Sequence, residues 1–154
     1  MDNFKKELDL ALKNIQKNQK KKAEDILKKI LSKDEKNFQS LFFLGNIYSE
    51  AKKYELSKKY LNNAISIKPN FSEAYNSLGI VYTNLGDFIK AEESLDKAIN
   101  INANIPEPYN NLGILKREQN EINSAKNFFK KAIKINNKYF PAYINLMELY
   151  ERTN

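Results

Sequence analysis

The chain of 154 residues contains no cysteine, no histidine and no tryptophan. Without cysteine there are no disulfides or thiolate metal ligands, and without histidine the commonest general base is missing. Ser–His and Cys–His nucleophile pairs are excluded with them. No segment approaches the roughly 18 apolar residues of a membrane span, and residues 1–6 lack the apolar stretch of a secretory signal. We therefore expect a cytoplasmic protein that is not an enzyme and that binds no metal and no other cofactor.

Glycine is scarce as well, but three of the four glycines are evenly spaced. Gly45, Gly79 and Gly113 lie 34 residues apart. A fixed period of this length, in a chain without strand-like runs, is typical of a helical repeat array. Apolar residues recur three and four positions apart around each glycine, as they do in amphipathic helices. A glycine inside a helix costs about 0.5–1 kcal/mol relative to alanine, so we interpret the three glycines as sites of close helix crossing.

The residues around these glycines resemble the tetratricopeptide repeat family. Its 34-residue unit has an aromatic residue, a Leu–Gly pair and a tyrosine on one helix, and two alanines flanking a large apolar residue on the next. Residues 72–105 match best, with Tyr75, Leu78, Gly79, Tyr82, Gly86, Phe88, Ala91, Leu95 and Ala98. Residues 106–139 also match, although Lys116 replaces the tyrosine and Asn120 the second glycine. Residues 38–71 keep the Leu–Gly pair, whereas residues 4–37 are degenerate.

The resemblance implies an all-α fold, a right-handed α-solenoid of antiparallel helix pairs. It predicts a single array over residues 1–154, with repeats at 4–37, 38–71, 72–105 and 106–139 and a closing helix at 140–152. Asp87, between Gly86 and Phe88, is predicted to cap the second helix of its repeat.

The net charge of +7 comes almost entirely from lysine, since Arg117 and Arg152 are the only arginines. Base readout and bidentate phosphate contacts favour arginine, so we expect no specific nucleic-acid binding. Many lysines fall on the second helices, which form the convex face in the family. We interpret them as a solubilising basic coat, and a weak interaction with a polyanion or a membrane surface stays open as the alternative.

In the family the first helices line a concave groove, and the repeat register carries this surface over to the present chain. The predicted groove residues are Phe42, Phe43, Asn46, Asn76, Ser77, Ile80, Asn110, Asn111, Ile114, Arg117 and Asn145. With their neighbouring glutamates they form an amide-rich, slightly acidic surface, which favours a neutral or basic peptide partner. Chaperone-binding members hold an acidic tail with cations, but the corresponding positions here are Phe42, Asn46, Ser77, Glu107 and Asn111. We therefore reject that role.

The repeats also resemble those of O-linked N-acetylglucosamine transferases, which carry an asparagine just before the leucine of each first helix. The corresponding residues here are Phe43, Ser77, Asn111 and Asn145. A carboxamide both donates and accepts hydrogen bonds, so such a ladder can hold a peptide backbone without reading side chains.

The sequence therefore predicts a non-enzymatic protein–protein interaction module or scaffold that binds an extended peptide or a partner helix in its groove. One alternative is a substrate-recognition module of a glycosyl or other group transferase. Another is self-assembly into a homo-oligomer through the closing helix. Its apolar residues would surround much of its circumference: Tyr143, Ile144, Leu146, Met147, Leu149 and Tyr150.

Overall fold

The computed structural model describes residues 2–153, which form α-helices joined by short turns. The chain divides into two compact units, residues 1–70 and 71–154, called here the N-terminal and the C-terminal unit. The N-terminal unit contains α1 (Asp2–Gln16), α2 (Lys20–Lys33), α3 (Phe38–Glu50) and α4 (Tyr54–Ile67). The C-terminal unit contains α5 (Ser72–Leu85), α6 (Phe88–Ile101), α7 (Pro106–Glu118), α8 (Ile122–Ile135) and α9 (Phe140–Thr153). The predicted all-α repeat fold is confirmed.

Within each unit, the two helices of a repeat pack against each other. The pairs are α1 with α2 and α3 with α4 in the N-terminal unit, and α5 with α6 and α7 with α8 in the C-terminal unit. In the C-terminal unit α5 also contacts α7, and α7 contacts α9. The first helices α5, α7 and α9 therefore lie in one row, and this row positions most of the predicted groove residues.

The glycines mark the close crossings that their spacing predicts. A β-carbon added at Gly45 would lie 2.7 Å from Leu61 Cγ, and one at Gly79 would lie 2.5 Å from Leu95 Cγ. Both leucines are fully buried. Since real β-carbons do not approach other carbons this closely, any larger residue would force the leucine, or the second helix that carries it, to move. On α9 the same repeat position holds Met147, whose side chain is exposed.

The turn inside each repeat has a left-handed residue at a fixed position. Asn18, Lys52, Gly86 and Asn120 are 34 residues apart and have φ angles of 57°, 57°, 76° and 61°. Asparagine adopts this conformation more readily than other side-chain-bearing residues, which explains why Asn120 can replace the glycine. The predicted cap is also confirmed, because Asp87 Oδ1 accepts a hydrogen bond from the Lys90 backbone N–H at 3.3 Å.

Lys116, which replaces the tyrosine of the repeat, has its own partner. In the second repeat the Tyr48 hydroxyl donates to Glu24 Oε1 at 2.8 Å. Two repeats further on, Lys116 Nζ donates to Glu92 Oε2 at 2.9 Å. Burial alone would lower the pKa of Lys116, but its hydrogen bond to Glu92 and the charge of that carboxylate raise it above the ordinary value. The exchange of tyrosine for lysine therefore preserves a bond between neighbouring repeats.

Substitution of Lys116 tests how much its bond with Glu92 contributes to stability. We expect Lys116→Met to lower the free energy of unfolding by about 1 kcal/mol, because the Glu92 carboxylate loses a charge-assisted bond. Lys116→Tyr restores a hydroxyl donor like that of Tyr48 and should stay within about 0.5 kcal/mol of the parent. Thermal unfolding of the three proteins measures the difference. Equal losses in both variants would show that the bond with Glu92 does not contribute.

Candidate peptide-binding groove

The predicted groove residues fall into both units. Phe42, Phe43 and Asn46 lie on α3 of the N-terminal unit, and all three are half-buried. The rings of Phe42 and Phe43 have centroids 5.2 Å apart, and Phe43 packs against the core of its unit. The other predicted residues lie on the row of first helices in the C-terminal unit: Asn76, Ser77 and Ile80 on α5, Asn110, Asn111, Ile114 and Arg117 on α7, and Asn145 on α9.

The asparagines of the C-terminal unit form pairs between successive first helices. Asn111 Nδ2 donates to Asn76 Oδ1 at 2.8 Å, which joins α7 to α5. Asn145 Nδ2 donates to Asn110 Oδ1 at 2.9 Å, which joins α9 to α7. Each bond uses one of the two N–H groups of its donor. The second N–H group and the carbonyl oxygen of Asn111 and Asn145 therefore remain for a ligand.

The two members of a pair differ in burial. Asn110 is only 4% exposed, so its side chain fixes the position of Asn145 from within the packed row. Asn111 and Asn145 are half-buried and keep part of their surface in solvent. This pairing was not predicted from the sequence. The signal for it is the spacing of 35 residues, which separates both Asn76 from Asn111 and Asn110 from Asn145.

Removal of the Asn145 amide tests the buried pair. We expect Asn145→Ala to lower the free energy of unfolding by about 1–2 kcal/mol, because it leaves a buried carbonyl oxygen of Asn110 without this donor. The matched control is Asn111→Ala, which should cost less than about 1 kcal/mol because water can reach its half-buried partner Asn76. Thermal unfolding compares the two, and an equal or larger loss in the control would contradict the assignment.

A cleft of about 180 Å³ opens between α5 and α7. It is lined by Ile80, Thr83, Asn84, Asn111 and Ile114. A cavity of about 150 Å³ holds a benzene molecule, so this cleft has room for one aliphatic side chain. Thr83 was not among the predicted residues, although its place one helical turn after Ile80 puts both on the same face of α5. The cleft thus combines two isoleucines with a hydrogen-bonding rim.

Charge on these first helices is mainly negative. Glu73 and Glu107 are exposed in the first turns of α5 and α7. Arg117 Nη1 lies 3.5 Å from Glu148 Oε2, and Arg117 Nη2 lies 3.6 Å from Glu118 Oε1. The one predicted cation of the groove is therefore held by carboxylates of the same row, and the surface keeps its acidic character.

Among the side chains that the structure describes, those of residues 4–152, no three or more acidic, histidine or cysteine side chains form a cluster that could hold a metal ion. Over the same residues, no helix is both long enough and apolar enough to cross a membrane.

Two profiles of the tetratricopeptide repeat match residues 38–71 and 71–138. The search of curated proteins found no match. Among solved structures, the MamA protein is 25% identical with a TM-score of 0.74, covering 94% of this chain and 79% of its own. A thermophilic TPR protein from Thermus thermophilus is 20% identical with a TM-score of 0.81, covering 92% of this chain and 78% of its own.

A third structure contains a ligand. The first TPR of Spaghetti (RPAP3), bound to the HSP90 peptide SRMEEVD, is 18% identical with a TM-score of 0.68. The match covers 78% of this chain and 95% of that one. The two profiles together span about two thirds of the present sequence, with the repeat boundaries that the helices show. The chain belongs to the tetratricopeptide repeat family.

Proposed function

We propose that the C-terminal unit binds an extended, neutral or basic peptide segment of a partner protein along α5, α7 and α9. The observation that carries this proposal is the cleft between Ile80 and Ile114, with the half-buried Asn111 amide at its edge. An aliphatic side chain of the peptide would enter the cleft. The peptide backbone would pair with the remaining N–H and carbonyl groups of Asn111 and Asn145.

The family supports the coarser part of this proposal, since tetratricopeptide repeats are generally non-catalytic scaffolds for protein interaction. The RPAP3 repeat is bound to an acidic peptide. In the present row Glu73 and Glu107 are exposed, and Arg117 is paired with Glu118 and Glu148. We therefore propose a neutral or basic ligand instead of an acidic one. We propose no catalytic step, and the cytoplasmic location stays a prediction.

Selection from a random peptide library tests the ligand chemistry. The library is displayed on phage and selected on the immobilised protein, with a second selection on an Ile80→Glu, Ile114→Glu variant as the control. We expect the peptides retained by the parent alone to contain one recurring aliphatic residue near lysine or arginine. If the peptides retained by the parent alone were mainly acidic, or if no peptide were retained by the parent alone, the proposal would be contradicted.

The transferase alternative makes a different prediction for the same experiment. A recognition module that reads only backbone through Asn111 and Asn145 would retain many unrelated sequences and would lose them all in an Asn111→Ala, Asn145→Ala variant. A scaffold with a side-chain cleft would retain a narrow set of sequences. The breadth of the selected set therefore separates the two functions.

Self-assembly through α9 is a second candidate, and the exposure of its apolar residues favours it. Phe140 is 70% exposed, Ile144 52% and Met147 56%, and the three lie three or four residues apart along one side of the helix. Light scattering over a range of concentrations tests this candidate. A mass that rises with concentration and returns to the monomer value in an Ile144→Glu, Met147→Glu variant would support it, and a constant monomer mass would exclude it.

A further inference from the structure

The net charge of +7 lies entirely in the N-terminal unit. Residues 1–70 contain 16 lysines and nine acidic residues, whereas residues 71–154 contain ten basic and ten acidic residues. Both arginines lie in the second group. An even basic coat would give both units a positive charge. The observed segregation instead places the whole excess of positive charge on the N-terminal unit.

Many lysines of this unit are neutralised by nearby carboxylates. Lys28 Nζ lies 2.6 Å from Glu24 Oε1, and Lys29 and Lys33 lie 3.4 Å and 3.3 Å from Glu7 Oε1. These ion pairs lie along the length of α2. The lysines that remain without a carboxylate partner are therefore more informative about binding.

Four of the lysines without a carboxylate partner lie at or next to two turns, the one from α1 to α2 and the one from α3 to α4. Lys20 Nζ lies 2.6 Å from Glu50 Oε2, so the start of α2 is next to the end of α3 and the two turns are neighbours. The surface called here the lysine edge consists of exposed lysines in these two turns and in the first turn of α2: Lys17, Lys22, Lys52 and Lys53. Within the described residues none of the four forms an ion pair, and the Lys53 ammonium lies 6.0 Å from the centre of the Tyr48 ring.

Two lysines of this edge occupy positions at which other residue types would stabilise the fold better. Lys52 is left-handed with φ of 57°, and the same position in the third repeat holds Gly86. Lys53 directly precedes α4, and the corresponding positions of the next repeats hold Asp87 and Glu121. A carboxylate before the first turn of a helix is favoured by the helix dipole, whereas an ammonium group is not. These two lysines therefore do not serve the stability of the turn.

We propose that the lysine edge binds an acidic, Asp- and Glu-rich segment of a partner protein. Residues 1–70 contain no arginine, so the edge has no guanidinium group that could donate two parallel hydrogen bonds to a phosphate. The Tyr48 ring next to it is only 5% exposed and offers no face for a nucleic-acid base. Ammonium groups pair with carboxylates without strict geometry, as a flexible acidic segment requires. This surface is separate from the proposed groove, whose ligand has the opposite charge.

The proposal is tested by replacing two lysines of the edge with the residues that hold the same positions in the third repeat, so that the variant still folds. The variant Lys52→Gly, Lys53→Asp copies the residues Gly86 and Asp87, and we expect it to raise the melting temperature by roughly 2–4 °C. The probe is a fluorescent poly-glutamate peptide of about a dozen residues, measured by anisotropy at low salt. The variant changes the charge by three units. At about a twofold change in affinity for each unit, it should bind the probe about tenfold more weakly than the parent.

The control variant changes the charge equally at another surface. Lys130→Ala, Lys134→Glu alters two exposed residues of α8 and should change the affinity for the probe less than about twofold. Equal weakening by the two variants, no weakening by the turn variant, or no binding of the probe to the parent would each overturn the proposal. Tighter binding of an oligothymidylate of equal charge would also overturn it, because the partner would then be a nucleic acid.

Discussion

Gly113→Ala is expected to lower the free energy of unfolding by about 2 kcal/mol, although alanine is the better helix former. A β-carbon at this position would lie 2.5 Å from Phe129 Cδ1. The Phe129 ring is fully buried, and Ile114, Ile122 and Leu146 pack around it with Leu149. Because the ring cannot move into free space, α8 must shift away from α7. The expected loss is the cost of this overpacking less the gain in helix propensity of about 1 kcal/mol.

The matched control for Gly113→Ala lies one repeat further on. Met147 holds the glycine position of α9, but its side chain is 56% exposed. We expect Met147→Ala to change the free energy of unfolding by less than about 0.5 kcal/mol. Urea unfolding followed by circular dichroism compares the two variants. A Gly113→Ala protein as stable as the parent would show that this glycine is not required by the helix crossing.

The largest expected effect on binding comes from the two isoleucines of the cleft. We expect the double variant Ile80→Glu, Ile114→Glu to lower the affinity for a library-selected peptide by about 100-fold. The peptide side chain loses an apolar contact worth about 1.5–3 kcal/mol, and a factor of 100 in affinity corresponds to about 2.7 kcal/mol. Isothermal titration calorimetry with the selected peptide measures the change.

Ile89 provides the control for the added charge. It is 75% exposed on α6, a second helix of the same unit. Ile89→Glu introduces the same carboxylate outside the row of first helices and should leave the affinity within about twofold of the parent. Equal weakening by Ile89→Glu would mean that net charge, rather than the cleft, determines affinity.

The fold could be predicted from the sequence because the same residue types recur at the same packing positions in successive repeats. The glycine spacing predicted the close crossings, and Asp87 was correctly predicted as a helix cap. The two departures from the family pattern were harder to interpret. Asn120 keeps the left-handed turn, and Lys116 keeps a bond between repeats through Glu92. The first depends on the backbone conformation at Asn120, and the second depends on a partner in the preceding repeat. Neither can be recognised from the sequence of one repeat alone.

The candidate groove was less predictable than the fold. The register placed Asn76, Asn110, Asn111 and Asn145 on the first helices, but it did not predict which amides bond to one another or that Asn110 is buried. These properties depend on the distance between neighbouring first helices. The segregation of charge is visible in the sequence, but only the structure shows that the two turns carrying the lysine edge are neighbours.

Nuclear magnetic resonance of the isotope-labelled protein, titrated with a selected peptide, tests the proposed binding site most directly. We predict saturable shifts of the backbone amides of Ile80, Asn111 and Ile114 and of the Asn111 side-chain amide, assigned with the Asn111→Ala variant. The signals of Ile89 on α6 should stay unchanged. Shifts confined to the second helices, with those of Ile80 and Ile114 unaffected at saturation, would contradict peptide binding in the groove.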